Sequence, residues 1–164
     1  MHNWMMMKKT TTLIFAVLAF CLSGALPVVA QATKTTQIVA DQFVVRDAEN
    51  KSEFIGNVIV TQPDLNVWAD KVVVNYGAGG TSDIKTFIAT GNVKIQSESQ
   101  TATGKRAVYD PSTRILHLTG DVVVINDGGS VVSQELFVNL ATNITTFTSG
   151  GTGERVTGLF TQGN

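Results

Sequence analysis

FIGNVIVTQPDLNVWADKVVVNY, residues 54–76, is the stretch that decides the fold. Its first half alternates: Phe54, Gly56, Val58 and Val60 fall on one face of a two-residue period, and Ile55, Asn57, Ile59 and Thr61 on the other. Gln62-Pro63-Asp64 then breaks the run as a turn would, and a Val-rich second run follows. β-Branched residues dominate on both sides, so the stretch predicts a pair of strands joined by a tight turn.

The unit recurs. Gly56-Asn57-Val58-Ile59-Val60 returns as Gly91-Asn92-Val93-Lys94-Ile95 and again as Gly120-Asp121-Val122-Val123-Val124, at spacings of 35 (91 minus 56) and 29 (120 minus 91) residues. In phase with the glycines stand Phe54, Val58 and Val60; Phe87, Ala89, Val93 and Ile95; and Leu116, Leu118, Val122 and Val124. The opposite face is mostly polar. A second element trails each of these runs: Ala69-Asp70-Lys71-Val72-Val73-Val74, Thr103-Gly104-Lys105-Arg106-Ala107-Val108, and Ser133-Gln134-Glu135-Leu136-Phe137-Val138. Ala40-Asp41-Gln42-Phe43-Val44-Val45 matches that second element without a first. Repetition at such a period indicates stacked supersecondary units sharing one apolar core.

Residues 1–30 are read as an export signal and not as part of the fold. Lys8 and Lys9 supply the basic start, residues 13–22 the apolar centre, and Val28-Val29-Ala30 a small-residue cleavage site before Gln31, with an alternative cut after Ala32. Export implies an envelope protein, and the remaining 31–164 is expected to form one domain. The single cysteine, Cys21, lies in the signal, so no intrachain disulfide is expected in the mature chain. Loss of Lys8 and Lys9 leaves 10 basic against 13 acidic residues, a net charge of −3, which is no electrostatic footprint for nucleic acid.

Between the repeats lie turns. Residues 47–51 are hydrophilic, residues 77–83 are glycine-rich and expected to be the most flexible stretch of the body, and Asp110-Pro111-Ser112-Thr113 and Asn126-Asp127-Gly128-Gly129 are tight-turn sequences. Strands are expected at 38–46, 84–95, 102–109, 114–125, 131–140 and 144–148, with a short last one at 155–160. No stretch reads as a helix longer than a turn or two. The chain is all-β, with ten or more short strands.

Nothing in the pattern points to catalysis. The mature part has one histidine, His117, expected on a polar, exposed strand face. It has no cysteine nucleophile and no His/Cys spacing suited to zinc, so no metal and no cofactor is expected. Asp47, Asp64, Asp83, Asp110 and Asp127 sit in turns, where they bend the backbone. Asp41 and Asp70 hold the same place in two repeats, which a structural repeat explains better than an acid/base pair. The shared apolar face remains, and periodicity alone leaves it open as a filled core or a lipid-lined groove.

Ala40-Asp41-Gln42, the run 54–62 and the run 69–74 together resemble the OstA-like family of lipopolysaccharide-transport proteins. The resemblance spans about residues 38–147. It implies an open β-jellyroll, a folded-over stack of antiparallel strands whose interior shields the acyl chains of lipopolysaccharide. It also implies a periplasmic location and head-to-tail bridging between copies, with LptC on the inner-membrane side and LptD on the outer-membrane side. The lining it implies comprises Ile38, Phe54, Val58, Val60, Phe87, Val93, Ile95, Tyr109, Leu116, Leu118, Val122 and Val124. Two other readings compete: a membrane-anchored relative of LptC that keeps residues 1–26 intact, and a purely structural, self-assembling β-solenoid.

Overall fold

A computed structural model of the chain describes residues 35–151 and 153–161. The export segment lies outside them. Ten strands form a single antiparallel sheet: β1 (Gln37–Val39), β2 (Gln42–Arg46), β3 (Lys51–Gln62), β4 (Leu65–Gly77), β5 (Gly80–Gln96), β6 (Gln100–Asp110), β7 (Ile115–Asn126), β8 (Gly129–Asn139), β9 (Ile144–Thr148) and β10 (Thr157–Phe160). The six from β3 to β8 run as a meander. At one edge β1 and β2 both pair with β3; at the other, β9 and β10 both pair with β8. The expected first strand over 38–46 is thus two pieces, broken at Ala40-Asp41. The glycine-rich 77–83 is not a loose loop, because Gly77 and Gly80 are already paired across it.

Every long strand is interrupted at its centre. On β3, Ile55 pairs with Lys71 and Val58 with Ala69, so Gly56 and Asn57 stand opposite the single residue Asp70. Gly91-Asn92 stand likewise opposite Lys105, and Gly120-Asp121 opposite Gln134. Both residues of each step lie in the left-handed region: φ is 81° and 45° at 56 and 57, 76° and 46° at 91 and 92, 84° and 50° at 120 and 121. Glycine adopts this backbone freely, and Asn and Asp tolerate it best among the rest. The recurring Gly-Asn and Gly-Asp of the sequence are therefore bulges that bend the sheet, not ordinary strand positions.

Each bulge is held by a side chain from the segment before it. Asn57 Nδ2 donates to Asp41 Oδ2 at 2.8 Å, and Asn92 Nδ2 to Asp70 Oδ2 at 2.9 Å. At the third step the charges are exchanged, with Lys105 Nζ 2.5 Å from Asp121 Oδ2. A Cβ at Gly56 or Gly91 would collide with the carboxylate of Asp41 or Asp70. A further Gly-Gly pair, Gly150-Gly151, lies between β9 and β10 and not within a strand. Both residues have positive φ, and Gly150 packs on Gln134 and Glu135, 30 residues beyond Gly120 (150 minus 120).

The bulges align across the sheet as a crease. On one side β2 and β9 flank half of each long strand, and on the other side β1 and β10 flank the other half. Even-numbered strands change face at the crease: Ala69 and Val72 are both buried, with Asp70 and Lys71 between them on the outside. Buried side chains from the two halves, such as Ala69 with Val72 and Val124 with Leu118, join one core cluster. The sheet is therefore folded over on itself, an open β-jellyroll. Val58, Val93, Leu118 and Val122, each at most 1% exposed, fill the crease.

One buried charge sits on the outer face. Glu53 accepts from Lys71 Nζ at 2.9 Å and Arg46 Nε at 3.0 Å, tying β2 to β3 and β4. Lys71 first and Arg46 second hold its carboxyl down to about 2, from an ordinary value of 4.5. A carboxyl lowered on folding stabilises the fold above its unfolded pKa, and that contribution is lost as pH falls through the folded one. The urea midpoints of wild type and Glu53→Gln are expected to differ most at neutral pH. The gap should close as pH falls from 4.5 towards 2. A gap constant across that window would refute the coupling.

Candidate functional site

Between the two halves of the folded sheet lies a cavity of about 440 Å³. Such a volume falls in the range of pockets that enclose small ligands, roughly 300–1,000 Å³. Its walls are apolar. From the β1–β10 half come Val60, Leu65, Val67, Ile95, Ala102 and Val124; the β2–β9 half supplies Val72, Phe87, Ala89, Ala107, Tyr109, Leu116, Leu136, Val138, Leu140 and Phe147. Phe87 and Tyr109, paired across β5 and β6, stack with centroids 6.3 Å apart. Polar residues gather where strands end: Thr36, Gln62, Asp64, Ser97 and Gln100 on one lip, Arg114 and Thr145 on the other.

The twelve residues expected to line this face divide into three groups. Val60, Phe87, Ile95, Tyr109, Leu116 and Val124 line the cavity. Val58, Val93, Leu118 and Val122 lie in the crease, buried. Ile38 and Phe54 are half-buried and pack against the core near the β1–β2 edge, where Phe54 stacks on Phe43 with centroids 4.5 Å apart. The lining from β4, β6 and β8 escaped the sequence reading, with Tyr109 the exception. Their apolar positions change parity at the crease, so a single period-two frame does not find them. The signal that would have found them is the pair of adjacent polar residues, Asp70-Lys71, Lys105-Arg106 and Gln134-Glu135, in mid-strand.

His117 is not the exposed residue expected. Its ring stacks on Phe137 at 4.0 Å, and its Nε2 is buried, 3.8 Å from Glu135 Oε2. It lies on the outer face, away from the cavity lining. Among the described residues no group of His, Cys, Asp and Glu could hold a metal ion, and no helix is long and apolar enough to cross a membrane.

A family of LPS transport proteins, LptA/(LptD N-terminal domain), matches residues 37–144, well over half of the chain. The chain belongs to this family. LptA/LptD N-terminal domains are transport proteins, not enzymes. An uncharacterized protein of Rhizobium meliloti (strain 1021) is 33% identical over 101 residues, 58% of this chain and 54% of that protein. The chain thus spans about half the length of that curated relative. Among solved structures, LptH of Pseudomonas aeruginosa, described as the LptA homologous periplasmic component of a conserved lipopolysaccharide transport device, matches with a TM-score of 0.67. The match covers 79% of this chain and 96% of that one at 15% identity, which is a likeness of fold. The fold that carries the crease and the cavity is therefore LptA-like.

Proposed function

We propose that this LptA-like chain carries lipopolysaccharide across the periplasm, shielding its acyl chains in the cavity and assembling head to tail into a bridge. The observation that carries the reading is the cavity itself, apolar along its walls and polar at its lips. Acyl chains removed from water gain roughly 25 cal/mol per Å² of buried apolar surface, while a sugar headgroup keeps its hydration at the mouth. In this reading residues 1–30 are a cleaved export signal and 31–164 one domain. The first edge, β1–β2, meets LptC, and the last, β9–β10, meets LptD.

End-to-end assembly has its own support. The β1–β2 edge exposes Val39, Phe43 and Val45, and the β9–β10 edge exposes Ile144, Leu159 and Phe160, the last two at 69% and 80%. Strand addition onto such edges satisfies their free backbone groups and would carry the cavity from one copy into the next.

A photo-reactive amino acid in place of Phe87 or Tyr109 is expected to label lipopolysaccharide added to the purified protein. In place of Asn92, exposed at the outside of the crease, it should label at background. Equal labelling from all three positions would overturn the cavity as the acyl site.

A further inference from the structure

The lip residues of the cavity are not equivalent. Among the described lining residues Arg114 is the only basic side chain, and the only carboxylate among them, Asp64, is on the opposite lip. Most other cations of the described residues are engaged elsewhere. Arg46 and Lys71 hold Glu53, Lys105 meets Asp121, and Lys94 lies over the Trp68 ring at 4.8 Å. No ion pair holds Arg114 among the described residues, and its side chain is exposed.

The turn that carries Arg114 supplies an independent observation. Asp110 Oδ1 accepts from the N–H groups of Ser112 and Thr113 at 2.8 and 3.3 Å. In the next turn on the same lip, Asn139 Oδ1 accepts from Ala141 and Thr142 at 2.9 and 3.1 Å. The two turns share one geometry, and each ends four residues after its Asx in the left-handed region, Arg114 at φ 58° and Asn143 at φ 57°. A third turn on this lip ends the same way at Asn50, φ 49°. Asparagine is among the residues that accept this backbone most easily; arginine is not. Backbone strain of this kind concentrates at sites of function. The one turn with the ill-suited residue is the one whose left-handed residue lines the cavity.

We propose that Arg114 is the anion-recognition residue of the mouth, selecting amphiphiles whose headgroup is a phosphate or carboxylate. The assignment rests on the reading of the cavity as an acyl site. Its guanidinium fork matches both anions in bidentate geometry. The charged head then sits at the β6–β7 turn while the chain enters the apolar wall.

The test compares dodecyl phosphate, laurate and the neutral dodecyl maltoside, titrated into the full chain and its Arg114→Asn and Arg114→Lys variants. Asn is the residue at both equivalent positions, so the fold is retained. Arg114→Asn is expected to weaken dodecyl phosphate and laurate about tenfold, the scale of one charge-assisted hydrogen bond, and to leave dodecyl maltoside unchanged. Arg114→Lys should keep most of the anion affinity, and added salt should erode it in wild type but not in Arg114→Asn. Unchanged binding of both anions, or equal weakening of all three amphiphiles, overturns the assignment while leaving the cavity as an acyl site. Failure of wild type to bind any of them overturns the acyl site and the assignment together.

Discussion

Leu118→Asp is expected to yield no folded protein at neutral pH. Leu118 is 0% exposed; it pairs with Ala107 and Leu136 beside the crease and lies over Gly104, where a Cβ would strike its Cδ1. Among the described residues no basic side chain is buried. Burying an unpaired carboxylate there costs several kcal/mol even after relaxation, against a total stability of about 5–15 kcal/mol for a domain. Leu118→Ala, by contrast, leaves a void worth about 2–5 kcal/mol and should give a folded protein with a lowered urea midpoint. Ile125→Asp, in the same strand but 56% exposed, controls for placing a carboxylate on β7 and should unfold near the wild-type midpoint. Circular dichroism through a urea series reads all three. A Leu118→Asp protein with a wild-type midpoint would show that the crease is not the centre of stability.

The second large effect is on assembly. Removing residues 144–164 deletes β9 and β10 and is expected to leave β3 to β8 folded but to abolish concentration-dependent growth. The reason lies in strand direction. β1 and β2 run antiparallel to β3, hence parallel to β4, β6 and β8; β9 and β10 run antiparallel to β8, hence parallel to β3, β5 and β7. A copy that adds its first edge to the last edge of another therefore continues the antiparallel ladder. After truncation the last strand is β8, which runs the same way as β1 and β2, and the junction no longer matches. A contact between unlike ends that does not close on itself gives filaments, so its loss should leave single molecules. Light scattering across a concentration series measures this. Larger species after truncation would mean that β9–β10 shields the sheet, and bridging through that edge would be ruled out.

Much of this architecture is legible in the residues, and the parts that are not have a common cause. Alternation through Phe54, Val58 and Val60 holds because the two-residue step Gly56-Asn57 keeps the inward parity of β3 intact. The even strands lose parity, and the uniform run Val72-Val73-Val74 hides the change, since all three residues are equally apolar whichever way they face. Recurrence of Gly-Asn was plain, but its geometry was not: a glycine in a strand and a glycine in a left-handed bulge are the same letter. The partner carboxylates Asp41 and Asp70 match by position in the sequence, which does not show the glycine each one covers. Half of the expected lining residues face the cavity; four others sit below it. Both sets share one inward face, and only the depth of the fold separates a wall from a floor.

The crease also sets a rule for length. Each long strand crosses it in the same way, and neighbours are about 4.8 Å apart, so one odd–even pair is a module that lengthens the trough by roughly 9–10 Å. Modules of this kind are interchangeable where each touches only its neighbours. The polarity of the two ends admits whole modules only. In the proposed bridge, gain or loss of a single strand would reverse one terminus and leave a trough that could not join its own copy, whereas a pair added or removed would change the reach and keep the junction.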